Sequence, residues 1–133
     1  MPYTISWHTQ NIVAYAQIRG HFTADEVVVF NRELRQQYLE PGQPPVHLIV
    51  DVRDIQTLPA NAWIIHHAFN TYCNHPALGW IAFMTRNTVL TIFLEAILQQ
   101  ITPKYLKRVQ SLAQAQNILH QLDERLVYAQ HGQ

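Results

Sequence analysis

The pattern of hydrophobic and polar residues predicts five β-strands. Near the N-terminus, two segments alternate with a period of two, which is typical of strands that bury one face. A short polar break at residues 9–11 separates them, so we expect them to pair as a hairpin. The third segment is β-branched and apolar almost throughout, as in an interior parallel strand. The five predicted strands cover residues 3–8, 12–19, 46–54, 78–84 and 104–110.

Four segments with a helical repeat of apolar residues lie between or after these strands. Two of them open with capping-box patterns, from Thr23 to Glu26 and from Ser111 to Gln114, in which side chains satisfy the free amides of a helix start. Pro59 suits the first turn of the second helix, where its missing N–H costs nothing. The predicted helices cover residues 24–39, 59–75, 89–100 and 111–126, and a frayed tail follows at 127–133.

The predicted order of elements is β-β-α-β-α-β-α-β-α. Strands that alternate with helices form a largely parallel sheet, here with the first strand antiparallel at one edge. One face of the first three strands is too polar for complete cover by helices. Its polar residues are His8, Tyr15, Gln17, Arg19 and His47.

The sequence therefore predicts a single α/β domain over residues 1–133, with its core at about 3–126. Its sheet is expected to be mixed, mostly parallel and five-stranded, with helices mainly on one face and a partly open opposite face.

Composition narrows the classes of function. Acidic and basic residues are equal in number, 9 each, so there is no basic surplus to neutralise nucleic-acid phosphates. Cys73 is the single cysteine, which excludes an intrachain disulfide and suits a reducing compartment. No signal-peptide pattern opens the chain, and no apolar run approaches the roughly 20 residues of a membrane span. We expect a cytoplasmic protein that binds neither nucleic acid nor membrane.

The segment from Val89 to Leu98 is apolar almost all round. A helix of this kind needs burial on more than one side. Two explanations are open: the helix pairs with a second copy of the chain in a homodimer, or neighbouring elements of the same chain cover it.

Four segments together resemble the SpoIIAA-like (STAS/SEC14-type) family over about residues 3 to 126. They are Gly20-His21-Phe22-Thr23-Ala24-Asp25, Leu48-Ile49-Val50-Asp51-Val52, Gly79-Trp80-Ile81-Ala82 and Ser111-Leu112-Ala113-Gln114-Ala115. The resemblance implies the fold and a regulatory role through protein contacts. Better-known members carry a phosphorylatable Ser after the third strand, in an Asp-Ser-x-Gly setting. Ala60 stands at that position here, so the family's usual phosphorylation switch is not expected.

Metal and nucleophile chemistry is poorly supported. His66, His67, Cys73 and His75 lie close in sequence, but none of these residues are paired at the i, i+4 spacing of helical metal ligands. Cys73 lies near a predicted helix C-terminus, where the helix dipole disfavours a thiolate. With only 4 glycines, the chain has no Gly-rich phosphate loop. The sequence predicts no catalytic residue, no metal site and no cofactor.

Charged residues gather where the third strand ends. Asp51, Arg53 and Asp54 occupy this strand end, and Arg86 and Asn87 follow the next strand. The carboxyl ends of parallel strands are the usual site position in open α/β sheets. These residues are therefore candidates to bind a partner or a small anion, although local salt bridges and turn hydrogen bonds are the common alternative.

The predicted function is that of a non-enzymatic signalling or regulatory module that contacts a protein partner and forms a homodimer. The contact surface would include the loop from Arg53 to Asn61 and the start of the helix that follows it, and the apolar helix from Val89 to Leu98 is a further candidate. The alternative is a small-ligand or lipid-binding domain, which would use the polar strand ends or an apolar pocket. The residues of that predicted pocket are Trp63, Phe69, Trp80 and Phe93.

Overall fold

The computed structural model describes residues 3–86, 88–102 and 105–131. Its strands form one five-stranded sheet in the order β1-β2-β3-β4-β5. The pairing of β1 with β2 is antiparallel and the other pairings are parallel, as predicted. The strands are β1 (Tyr3–Thr9), β2 (Val13–His21), β3 (Val46–Thr57), β4 (Leu78–Met84) and β5 (Leu106–Val109).

The helices cover the two faces of the sheet unequally. They are α1 (Ala24–Leu34), extended by a π-helical segment at Arg35–Leu39, then α2 (Ala62–Cys73), α3 (Val89–Ile101), α4 (Leu112–Leu122) and α5 (Glu124–His131). Helices α1, α2 and α3 pack on the first face and contribute to the larger core. The smaller core on the second face includes side chains of α4 and α5. The predicted α/β architecture, with helices mainly on one face, is confirmed.

The second face stays partly open at the β1 edge. Thr4, Ser6 and His8 on β1 are exposed, and Tyr15 and Gln17 on β2 are half-buried. In contrast, the second-face core beneath α4 and α5 takes its sheet residues from β2 to β5 and the turn before β2. The polar character of β1 and β2 thus predicted the uncovered part of the sheet.

Several element boundaries differ from the sequence prediction. Strand β3 continues to Thr57, because it stays paired with the end of β2, where Gly20 lies beside Ile55. Helix α2 begins at Ala62 rather than at Pro59.

The predicted frayed tail is wrong for the described residues, since α5 is helical to His131. Asp123 has an extended backbone conformation, which interrupts the predicted last helix and separates α4 from α5.

Both predicted helix starts on Thr23 and Ser111 are present. The Thr23 hydroxyl accepts from the Glu26 amide, and the Glu26 carboxylate accepts from the Thr23 amide, which completes the capping box. The Ser111 hydroxyl accepts from the Gln114 amide at 3.1 Å. The Gln114 side chain instead accepts from the amide of Gln110 at 2.8 Å, so it ties the end of β5 to α4.

The prediction that His47 lies on the open polar face is wrong. It is 1% exposed and lies beneath the junction of α4 and α5. Its Nδ1 accepts from the Trp80 amide at 3.0 Å, so Nε2 carries the proton and donates to Asp123 Oδ2 at 2.7 Å. Burial lowers the pKa of His47, and the hydrogen bond to Asp123 offsets this only in part.

Arg125 completes this network. Its guanidinium donates to both carboxylate oxygens of Asp123 and to the carbonyls of Gln43 and Pro45. Although burial opposes ionisation of Asp123, its hydrogen bonds to Arg125 and His47 hold its pKa well below the ordinary value. The network therefore fastens the start of α5 to the segment that leads into β3.

Acidification should weaken the fold through His47. The folded-state pKa of His47 lies below its ordinary value of 6.5. As the pH falls below 6.5, His47 therefore takes up a proton in the unfolded chain before it does so in the folded protein, and the free energy of unfolding decreases. The loss should approach about 1.4 kcal/mol per pH unit. Urea unfolding of wild type at a series of pH values between neutral and mildly acidic will measure it.

In these measurements, His47→Gln should flatten the pH dependence, and the matched control His21→Gln, at an exposed position, should keep it. An unchanged pH profile in His47→Gln would contradict this role of His47.

Gly79→Ala should destabilise the protein by about 1–3 kcal/mol. A Cβ at Gly79 would lie 2.6 Å from His47 Nδ1, and that ring is held at both nitrogens. Removing the ring removes the two closest contacts and leaves Pro45 Cβ at 3.0 Å, so Gly79→Ala should cost less in a His47→Ala background. Equal losses of unfolding free energy in the two backgrounds would show that another contact is responsible.

Candidate functional site

A buried carboxylate lies at the centre of the polar strand ends. Asp51 on β3 is 2% exposed. Its Oδ1 accepts from the Arg53 amide at 3.1 Å and from Arg53 Nε at 3.0 Å. Its Oδ2 accepts from Arg53 Nη2 at 3.0 Å and from the Tyr15 hydroxyl at 3.1 Å. Both oxygens of Asp51 are therefore satisfied within the fold.

These contacts determine the charges in the cluster. Burial disfavours the charged form of Asp51, but its hydrogen bonds with Arg53 and Tyr15 leave the pKa of Asp51 below its ordinary value. The same hydrogen bonds raise the pKa of Arg53. Burial and the nearby Asp51 charge raise the pKa of Tyr15, which stays a neutral hydrogen-bond donor. Asp51 and Arg53 thus form a permanent ion pair near neutral pH.

A second, more exposed ion pair lies at the same edge of the sheet. Arg86 Nη1 lies 3.1 Å from Asp54 Oδ1, and more than half of each side chain is exposed. Four of the six residues predicted to bind a partner or ligand are thus grouped as two ion pairs.

The other two predicted site residues have different outcomes. Asn61 lies just ahead of α2, where its Oδ1 accepts from the Trp63 amide at 3.0 Å, and it therefore helps to begin that helix. Asn87 lies outside the described residues. Ala60 is exposed in the loop between β3 and α2.

A polar cleft opens beside the two ion pairs. It encloses about 440 Å³ and is lined by Arg53, Thr85, Arg86 and Gln110. Thr85 and Arg86 follow β4, and Gln110 follows β5, so the cleft lies at the carboxyl ends of three neighbouring strands. Thr85 and Gln110 were not among the predicted site residues. Each directly follows a strand of the parallel part of the sheet, β4 or β5, and this position at a carboxyl end is the signal by which they could have been found.

A second surface of interest lies on the outer side of the first helical layer. Large apolar side chains are exposed there on α1, α2 and α3, up to 68% for Trp63 and 84% for Val89. We call this surface the apolar helical face and define it by Val28, Trp63, Val89, Ile92 and Phe93.

Trp63, on α2, lies beside both neighbouring helices. It shares one groove with Val28 on α1 and another with Ile97 on α3. Phe93 lies one helical turn before Ile97, on the same side of α3. The rings of His66 and His67 lie 6.0 and 6.3 Å from that of Trp63, in stacked orientation.

The apolar pocket proposed from the sequence does not form as one site. Phe69 packs against the core of the first face, whereas Trp80 packs against the core of the second face. The sheet therefore separates them. The enclosed apolar cavity between helices α1 to α3 and the sheet has a volume of about 20 Å³, which is near the space that one water molecule needs.

In residues 3–86, 88–102 and 105–131, no three His, Cys, Asp or Glu side chains lie close enough together to hold a metal ion. None of the helices in this part of the chain has both the length and the apolar character needed to cross a membrane.

Arg53→Met should destabilise the fold by about 2–4 kcal/mol, because it leaves the buried Asp51 carboxylate without its main counter-charge. Arg86→Met is the matched control and should cost at most about 1 kcal/mol, because its ion pair with Asp54 is exposed. Urea unfolding at neutral pH compares the two. The difference between wild type and Arg53→Met should shrink on acidification and disappear once the pH falls below the lowered pKa of Asp51, because the carboxylate is then protonated in both folded proteins. Equal losses in the two variants would contradict this assignment.

Comparison with known proteins supports the fold. No protein-family model matches the chain, and no curated protein matches it. Among solved structures, the chain is similar to an uncharacterised protein of the DUF3478 family with a SpoIIAA-like fold from Shewanella loihica PV-4. The two share 14% sequence identity and superpose with a TM-score of 0.65, over 88% of this chain and 91% of that one. The chain therefore has a SpoIIAA-like fold, as its sequence predicted.

Proposed function

We propose that this domain is a cytoplasmic, non-enzymatic regulatory module that works by protein contact and pairs with a second copy of itself. The observation that carries the proposal is the apolar helical face. Monomeric proteins rarely expose several large apolar side chains side by side, and such patches commonly mark interaction sites.

The charge of this surface suits pairing between identical chains. Helix α2 contains no Asp, Glu, Lys or Arg. The only charged residue of α3 is Glu95, which is buried and forms an ion pair with Arg108 on β5. Because a symmetric dimer brings the same patch together from both copies, the parts of this surface on α2 and α3 would bring no like charges together, whereas α1, which adds Val28, also carries the exposed Asp25 and Arg32.

Self-pairing would leave the loop between β3 and α2 available to a regulatory protein. This loop contains Ala60 and Asn61, both exposed. The loop resembles the segment that the better-known family members use as a switch, although its Ala60 offers no hydroxyl for phosphorylation. A cytoplasmic location suits a chain with the single cysteine Cys73, which has no intrachain partner for a disulfide.

An apolar-ligand or lipid carrier is the less favoured function. Ligand pockets typically enclose about 300–1,000 Å³. The apolar cavity described above, at about 20 Å³, is far below that range.

Ile92→Glu tests the dimer. The residue is 53% exposed, so the substitution should leave the folded chain intact. In a symmetric dimer it would place two like charges in the interface and should weaken association at least about a hundredfold. Analytical ultracentrifugation over a range of concentrations should give twice the mass of one chain for wild type and the mass of one chain for the variant.

Gln121→Glu is the control, because it adds the same charge at an exposed position of α4, away from the apolar helical face. It should dimerise like wild type. A wild-type protein that stays monomeric at the highest attainable concentration would overturn the proposal, and so would an Ile92→Glu variant that dimerises normally.

A further inference from the structure

The polar cleft at the strand ends has the chemistry of an anion site, independently of any pairing through the apolar helical face. Its four lining side chains are two guanidinium groups, a hydroxyl and a carboxamide, and each of these carries hydrogen-bond donors. None of the four is a carboxylate. We propose that this cleft binds the phosphate group of a small molecule between Arg53 and Arg86.

Arg53 is held in place for this role by the buried ion pair. Nε and Nη2 of Arg53 are fixed on Asp51, which leaves the N–H groups of Nη1 for a further acceptor. About a third of the Arg53 side chain is exposed. A guanidinium that is already oriented loses little conformational freedom when it binds an anion, so less of the binding free energy is lost.

The nearby carboxylates do not close the site to an anion. Both Asp51 oxygens are occupied by Arg53 and Tyr15, and the carboxylate is buried. Asp54 contacts Arg86 through Nη1, and the 61% exposure of the Arg86 side chain leaves its other nitrogens accessible. A phosphate can therefore bind a second edge of each guanidinium group without displacing either ion pair.

The start of α4 follows directly after a residue that lines the cleft. Gln110 lines the cleft, and the next residue, Ser111, caps α4. A helix N-terminus combines free amides with a partial positive charge and is a frequent phosphate-binding element. The open cleft, at about 440 Å³, has room for a phosphate group together with part of the molecule that carries it.

NMR titration of the full chain with inorganic phosphate and with phenyl phosphate tests the proposal, with chloride at matched ionic strength as the reference. Amide shifts should concentrate at Thr85, Arg86, Gln110 and the first turn of α4. Tighter binding of phenyl phosphate would identify a phosphate ester as the ligand type, whereas equal binding would identify the free anion. Shifts that chloride reproduces would overturn the proposal.

Arg86→Gln should weaken phosphate binding about tenfold, which corresponds to about 1.4 kcal/mol. Arg32→Gln is the matched control, since it removes the same charge from an exposed position on α1 and should bind like wild type. Arg53→Lys keeps the charge but loses the forked geometry and should also bind more weakly. If Arg86→Gln and Arg32→Gln bind phosphate equally well, the site is not this cleft.

Discussion

The central constraint in this structure is that β3 buries polar side chains on its second face. A buried polar group is costly unless it is hydrogen-bonded, and a buried charge is costly unless it is paired. His47, near the start of the strand, is satisfied by Trp80 and Asp123. Asp51, farther along the strand, is satisfied by Tyr15 and Arg53. Much of what distinguishes this domain follows from how these two groups are paired.

The two pairings have opposite effects on the ends of the sheet. At the amino end, His47 donates a hydrogen bond to Asp123, which holds the start of α5 against the sheet and covers that end. At the carboxyl end, Asp51 is satisfied by Arg53 on its own strand and by Tyr15 on the neighbouring strand β2, so no helix supplies a partner. That end stays open as a cleft, and the ion pair that stabilises it also orients Arg53. The same contact therefore serves stability and the proposed phosphate site.

The apolar helical face has a different origin. Helices α1 to α3 each bury one side against the sheet, but their outer sides need not be apolar for the domain to fold. The exposure of Trp63 and Ile92 is the feature on which the proposed contact between molecules rests. This surface and the polar cleft use different residues, so pairing of two copies and binding of an anion are compatible.

The sequence by itself determined the order of the elements, the antiparallel edge and the open polar part of the second face, because periodicity and capping are local properties. The SpoIIAA-like fold was predicted from the resemblance of four segments to that family. The sequence also brought Asp51, Arg53 and Arg86 to one edge. Only the tertiary structure decided that His47 is buried, that Asp123 separates α4 from α5, and that Thr85 and Gln110 line the cleft. These features depend on contacts between residues far apart in the chain, which no local pattern encodes.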